Sequence, residues 1–138
     1  MKKLTEEWLK AAEDDLRVIE RIRQDEHLTH MVAFHAQQAI EKSLKAAIEE
    51  YELGSVRVHS LERLFEIVKA CIKIDADLLI IEMLDKLYVD ARYPGNLGLL
   101  PNGMPSLAHA EKFNSFASTV YENIKYALEV KRQRDQDS

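Results

Sequence analysis

The sequence predicts an all-α fold, an antiparallel up-and-down bundle of four longer helices with a short extra helix. Apolar residues recur at spacings of three and four along most of the chain. Only four glycines and three prolines interrupt 138 residues, and no segment alternates apolar and polar residues with the strand period. A chain of this length fits one domain, and such a domain buries roughly two thirds of the surface its unfolded chain exposes. Residues 1–138 are therefore read as a single helical domain, of which 131–138 form a polar tail.

The first helix is expected from about Glu6 to Gln24. Thr5 serves as N-cap, Leu4 is placed to pack on Leu9, and Trp8, Ala12, Leu16 and Ile19 trace the inner face. The second spans about His30 to Glu52, carries Ala33, Ala36, Ile40, Leu44, Ala47 and Tyr51 on one stripe, and stops at Gly54. Its alanines permit close approach of a partner helix. Ser60 caps the short third helix, which buries Leu61, Leu64, Phe65 and Val68, with Cys71 continuing the stripe as a small buried hydrophobe. After a break at Ile74-Asp75, the fourth runs to about Tyr88 or Ala91. All three prolines and three of the four glycines fall between Arg92 and Pro105, which marks a long loop of the kind that carries function. The last helix starts near Ser106 and presents Phe113, Ala117, Val120, Ile124 and Leu128.

Composition excludes several classes of protein. A formal net charge of −5 gives no basic excess, so any contact with nucleic acid must be local. One cysteine allows neither an intrachain disulfide nor a thiolate metal site. Glu6, Glu7 and Lys10 break a signal-peptide core, and the longest uncharged stretch, Leu28 to Ile40, is too short and too polar to span a bilayer. A cytoplasmic protein with no membrane contact is expected. Phe34 and Ile48 lie outside the main apolar stripe of the second helix, which points to a homodimer.

Gln38, Glu41, Lys42 and Lys45 share one face of the second helix, opposite its apolar stripe. Spacing alone reads this as a solvated face with a Glu41–Lys45 pair worth a few tenths of a kcal/mol. Three blocks taken together suggest a ligand surface instead. They are Ala36-Gln37-Gln38-Ala39-Ile40-Glu41-Lys42-Ser43-Leu44-Lys45-Ala46, His59-Ser60-Leu61-x-x-Leu64 and Tyr88-x-x-Ala91-Arg92-Tyr93-Pro94. With the Asp14-Asp15-Leu16 stretch, they make the chain resemble the HEPN family, the higher eukaryotes and prokaryotes nucleotide-binding domain. The resemblance implies a helical bundle, commonly a homodimer. It also implies a nucleotide, RNA or a cognate minimal nucleotidyltransferase as partner, often in a toxin–antitoxin pair.

Many HEPN proteins are metal-independent endoribonucleases with an Arg and a His separated by four to six intervening residues, an Arg for phosphorane charge and a His for proton transfer. After Arg92 the three positions for that His hold Leu97, Gly98 and Leu99. The spacings Arg21 to His27 and Arg23 to His30 match formally, but about one such match arises by chance, and both lie between the first two helices. The resemblance thus favours a binding module without catalytic residues over a divergent endoribonuclease. Neither a metal nor another cofactor is expected: only His27 and His30 are closely spaced, and no Glu-x-x-His signature precedes any histidine. Gly98-x-x-x-x-Gly103 lacks the Lys-Ser/Thr of a phosphate loop, having Met104-Pro105 instead. The ligand-binding candidates are Arg92, Tyr93, Tyr88, His59, Gln38, Lys42 and Lys45. Arg92 offers a bidentate fork for phosphate, although a cation at a helix C-terminus also has a purely structural use. The tyrosines offer faces for stacking, and His59 either shares that end of the bundle or completes the cap at Ser60.

Overall fold

The structure, a computed structural model, describes residues 1–54, 57, 60–91 and 104–138, with the backbone alone over 89–91. It is all-α: α1 (Lys3–Ile22), α2 (Thr29–Glu50), α3 (Leu61–Val68), α4 (Leu78–Ala91) and α5 (Leu107–Asp137). A 3-10 turn, Glu26–Leu28, joins the first two. No strand occurs among the described residues.

The central element is α2, which packs against all four other helices. Fourteen of its 22 residues are buried. Ala33, Ala36, Ala39, Ala46 and Ala47 are among them, and these small side chains let neighbouring backbones come close. The chain of α1 runs antiparallel to α2. Lys2 meets Glu50 and Glu52 at one end, and Asp15 meets His35 further along. Against α1, α5 is also antiparallel, since Arg23 faces Glu111 at 3.5 Å while Glu13 accepts from the Tyr121 hydroxyl at 3.1 Å. The largest fully buried side chains come from all five helices and include Ile19, Leu44, Leu61, Leu84 and Phe113, so one core serves the whole bundle.

Several local expectations are corrected. Helix α1 begins at Lys3, and Thr5 does not cap it: the buried Thr5 hydroxyl donates to Glu50 Oε1 at 2.9 Å. A distant carboxylate thus takes the hydroxyl that a local cap would have used, and Leu4 is 45% exposed. At the other end of α2 the turn closes before Gly54. Leu53 N–H donates to Ile48 O and Glu52 takes φ of +53°, the left-handed position that usually favours glycine. Lys2 Nζ holds that Glu52 side chain at 2.9 Å. Cys71 lies in the turn after α3 and is exposed, because α3 ends at Val68 and the stripe does not continue as helix. Ile48 is buried within the chain, so of the two residues outside the stripe only Phe34 meets solvent. Residues 131–137, expected as a tail, extend α5, where Lys131 and Asp135 pair at 2.8 Å.

The expected cap at Ser60 is present, and Ser106, where the sequence starts the last helix, caps α5 in the same way, each hydroxyl accepting from the backbone N–H three residues on. Asp85 of α4 reinforces the first, accepting from Leu61 N–H at 2.9 Å and from the Ser60 hydroxyl at 3.3 Å. The start of α3 is thereby fastened to the second half of α4.

Glu50 makes the junction between α1 and α2 sensitive to acid. Burial pushes its carboxyl up, but hydrogen bonds from Lys2 N–H and the Thr5 hydroxyl, with the charge of Lys131, outweigh burial and hold it below the ordinary value of 4.5. A carboxylate depressed in the folded state contributes stability that is complete above its unfolded pKa and lost as pH falls through the folded one. We expect Glu50→Gln to cost about 1–2 kcal/mol at pH 7. The cost should shrink as pH drops below about 4.5. Thermal melts of both proteins between neutral and acid pH check this, and parallel curves throughout would contradict it.

Candidate functional site

Polar residues gather on the flank where α2 meets α1. Asp15 projects from α1 at the place where a further apolar residue would continue the run Trp8, Ala12 and Ile19. Its side chain is 9% exposed. One carboxylate oxygen lies 2.8 Å from His35 Nδ1, and the other accepts from Lys42 Nζ at 2.7 Å. His35 and Lys42 are two turns apart on α2, and Gln38 lies between them, donating to Gln37 Oε1 at 2.7 Å. One turn beyond Lys42, the Lys45 ammonium stands 5.4 Å from the centroid of the Trp8 ring and 3.9 Å from Glu41. Phe34 packs edge-on against the His35 ring at 5.1 Å.

The expected solvated face is therefore something else. Glu41 and Gln37 are buried, and the side chains of Lys42 and Lys45 are only 24% and 15% exposed. The reason is the central position of α2: no side of it is left wholly to water. Long cations in such a seam bury their stems and keep their heads near its edge. Pairing with Asp15 fixes Lys42, whose ammonium has three N–H donors and commits one to that carboxylate. The cluster can supply held, directional donors to an anion at its rim, which a solvated lysine does only at the cost of its rotamer freedom.

Of the seven sequence-derived candidates, the structure brings Gln38, Lys42 and Lys45 together on one flank. Tyr88 is half-buried on α4, one turn past the Asp85 that fastens α3. Arg92, Tyr93 and His59 lie outside the described residues. Asp15, His35 and Trp8 complete the flank and were not among the candidates. Their signal was a carboxylate on an otherwise apolar stripe of α1, which demands a buried partner.

His27 is exposed on the 3-10 turn, its backbone N–H bonded to Asp25. Arg23 is engaged by Glu20 and Glu111. Among the described residues no three His, Cys, Asp or Glu side chains are placed to hold a metal ion, and no helix is long and apolar enough to cross a membrane.

No curated protein and no solved structure matches the chain. A model of the HEPN domain matches residues 5–126. That stretch runs from the first turn of α1 well into α5 and takes in the whole α1–α2 flank. By a match over most of its length, and with the helical architecture that such a match requires, the chain belongs to the HEPN domain family.

Proposed function

We propose that this chain is a non-enzymatic HEPN module that binds the phosphate of a nucleotide or RNA, through the polar α1–α2 flank and through Arg92 and Tyr93, which follow α4 in the sequence. Its setting is the cytoplasm, and its protein partner is a cognate minimal nucleotidyltransferase in a toxin–antitoxin-type pair. The observation that supports the reading most is the restraint of Lys42 by Asp15 at 2.7 Å, beside Gln38 and Lys45. A cation held before the ligand arrives loses less freedom on binding, and a charge-assisted bond to phosphate is about twice as strong as a neutral one. With a net charge of −5 any phosphate contact is local, and Lys42 and Lys45, one turn apart on α2, are the cations of the flank.

Calorimetric titration of ATP and of a short single-stranded RNA tests the reading on wild type, Lys42→Met and Arg92→Lys. Each substitution should weaken binding by about tenfold or more, from loss of one charge-assisted bond or of the planar guanidinium fork. Unchanged affinity in both variants, each shown by its circular dichroism to be folded at the temperature of the titration, would overturn the site. Titration with the product of an adjacent nucleotidyltransferase gene tests the partner separately.

A nuclease reading has one observation in its favour: His35 is oriented by Asp15, as a proton-transferring imidazole is in hydrolytic sites. Incubation with labelled RNA in chelator decides between the two. Intact RNA supports the binding module, and cleavage that His35→Ala abolishes would replace it with an endoribonuclease.

A further inference from the structure

The second half of α5 turns a polar face towards the turn that joins α3 to α4. Asn123, Tyr126, Val130 and Arg134 follow at spacings of three and four, so they share one side of the helix. They face Ile72 and Lys73 of the turn, and Tyr51 at the end of α2, across an open cavity of about 430 Å³. That volume lies within the roughly 300–1,000 Å³ of small-molecule sites. Ile72 is buried and supplies, with Val130, an apolar floor. Tyr126 is 70% exposed, so most of its ring meets solvent at the rim.

The charges of the lining decide what this cavity takes. Lys73 and Arg134 are cationic and Asp75 is anionic, and none of the three is in an ion pair among the described residues. The charged groups around them are already engaged. Lys131, whose ammonium stands 5.6 Å from the centroid of the Tyr51 ring, pairs with Asp135 at 2.8 Å. Glu52 pairs with Lys2, and Glu50 accepts from Lys2 N–H and the Thr5 hydroxyl. The lining therefore carries one net positive charge. It suits a single anionic group, whereas a dianion would set its second charge against Asp75. A guanidinium holds a carboxylate in its plane through two parallel N–H donors. Asn123 adds an amide, and Tyr51 a hydroxyl that stays protonated because burial pushes its pKa above the ordinary value. We propose that this cavity is a site for a small aromatic monocarboxylate, which lays its ring on Tyr126 and the Ile72–Val130 floor and sets its carboxylate on Arg134 beside Lys73. No residue of the site belongs to the α1–α2 flank, and neither Arg92 nor Tyr93 takes part, so the inference stands or falls independently of the proposed phosphate ligand.

Cys71, the only cysteine of the chain, is exposed and lines the cavity, so its reaction with a thiol reagent reports occupancy at this place. The probe is 2-naphthoate, and the reagent is iodoacetamide, which carries no charge of its own. On the full chain, 2-naphthoate should slow the alkylation of Cys71 and bind in calorimetry with one-to-one stoichiometry. Two compounds with the same ring define the class: uncharged 2-naphthamide and doubly charged 2-naphthyl phosphate should each bind about tenfold more weakly. Arg134→Met should weaken 2-naphthoate by about tenfold and abolish the protection of Cys71. Tyr126→Ala should weaken it as well, whereas Lys125→Met, on a different side of α5, should not. Arg134 and Tyr126 are exposed, so helical circular dichroism should be retained in both variants. Absence of protection by a millimolar excess of 2-naphthoate would overturn the site, and so would protection that survives Arg134→Met. A phosphate that binds as tightly as the carboxylate, or an amide that does, would overturn the ligand class.

Discussion

Asp15→Ala is expected to lower the unfolding free energy by about 3 kcal/mol, far more than loss of a surface ion pair would. The carboxylate is 9% exposed and serves two partners on α2 at once. Removing it leaves the Lys42 ammonium in a seam that excludes most water and His35 Nδ1 without its partner. Most of the expected cost is that stranded cation, not the worth of the pair itself, because bringing the two charges out of water offsets much of their attraction. Replacing both ends should therefore behave differently: Asp15→Leu with Lys42→Met should recover most of the stability while the phosphate affinity stays lost. Denaturant unfolding of the three proteins measures the first effect, and calorimetry with ATP the second. A loss below about 1 kcal/mol in Asp15→Ala would show that Lys42 swings into water freely, and the picture of a preset donor would fail with it.

How the chain folds was legible wherever local rules act alone. The Ser60 cap, the alanine-rich contact face of α2 and the five helical segments follow from side-chain spacing and from the hydrogen-bonding needs of helix ends. The departures share a cause, which is competition from residues distant in sequence. Thr5 has the chemistry of an N-cap, yet Glu50, 45 positions away, takes its hydroxyl. Gln38, Glu41, Lys42 and Lys45 have the spacing of a solvated face, yet α1 packs along α2 there and that face becomes a half-buried seam. Periodicity tells which residues share a face of one helix, but not how many neighbours that helix will have. The candidate flank was half legible for the same reason. Its α2 side is a recognisable block, whereas its α1 side consists of one aspartate whose importance depends on what lies opposite.

Two leucine truncations separate the interior of this fold from its exposed apolar surface. Leu44 sits fully buried on α2, the helix against which all the others pack. Leu44→Ala should cost about 3–5 kcal/mol, the transfer term plus a cavity that cannot collapse, because the alanines around the helix have no flexible side chains with which to fill it. The identical change at Leu79, 68% exposed, removes almost no contact within the chain. As a monomer it should cost less than about 0.5 kcal/mol. If the homodimer to which the sequence points covers this face, however, Leu79→Ala acquires a concentration-dependent penalty, since folding and association are then linked by mass action. Chemical unfolding at low and high protein concentration measures both. Leu44→Ala should show the same large loss at each, and Leu79→Ala a loss that grows with concentration. A small and concentration-independent effect at Leu79 would leave α4 without a partner there, while a loss under about 1 kcal/mol at Leu44 would deny α2 its place at the centre of the core.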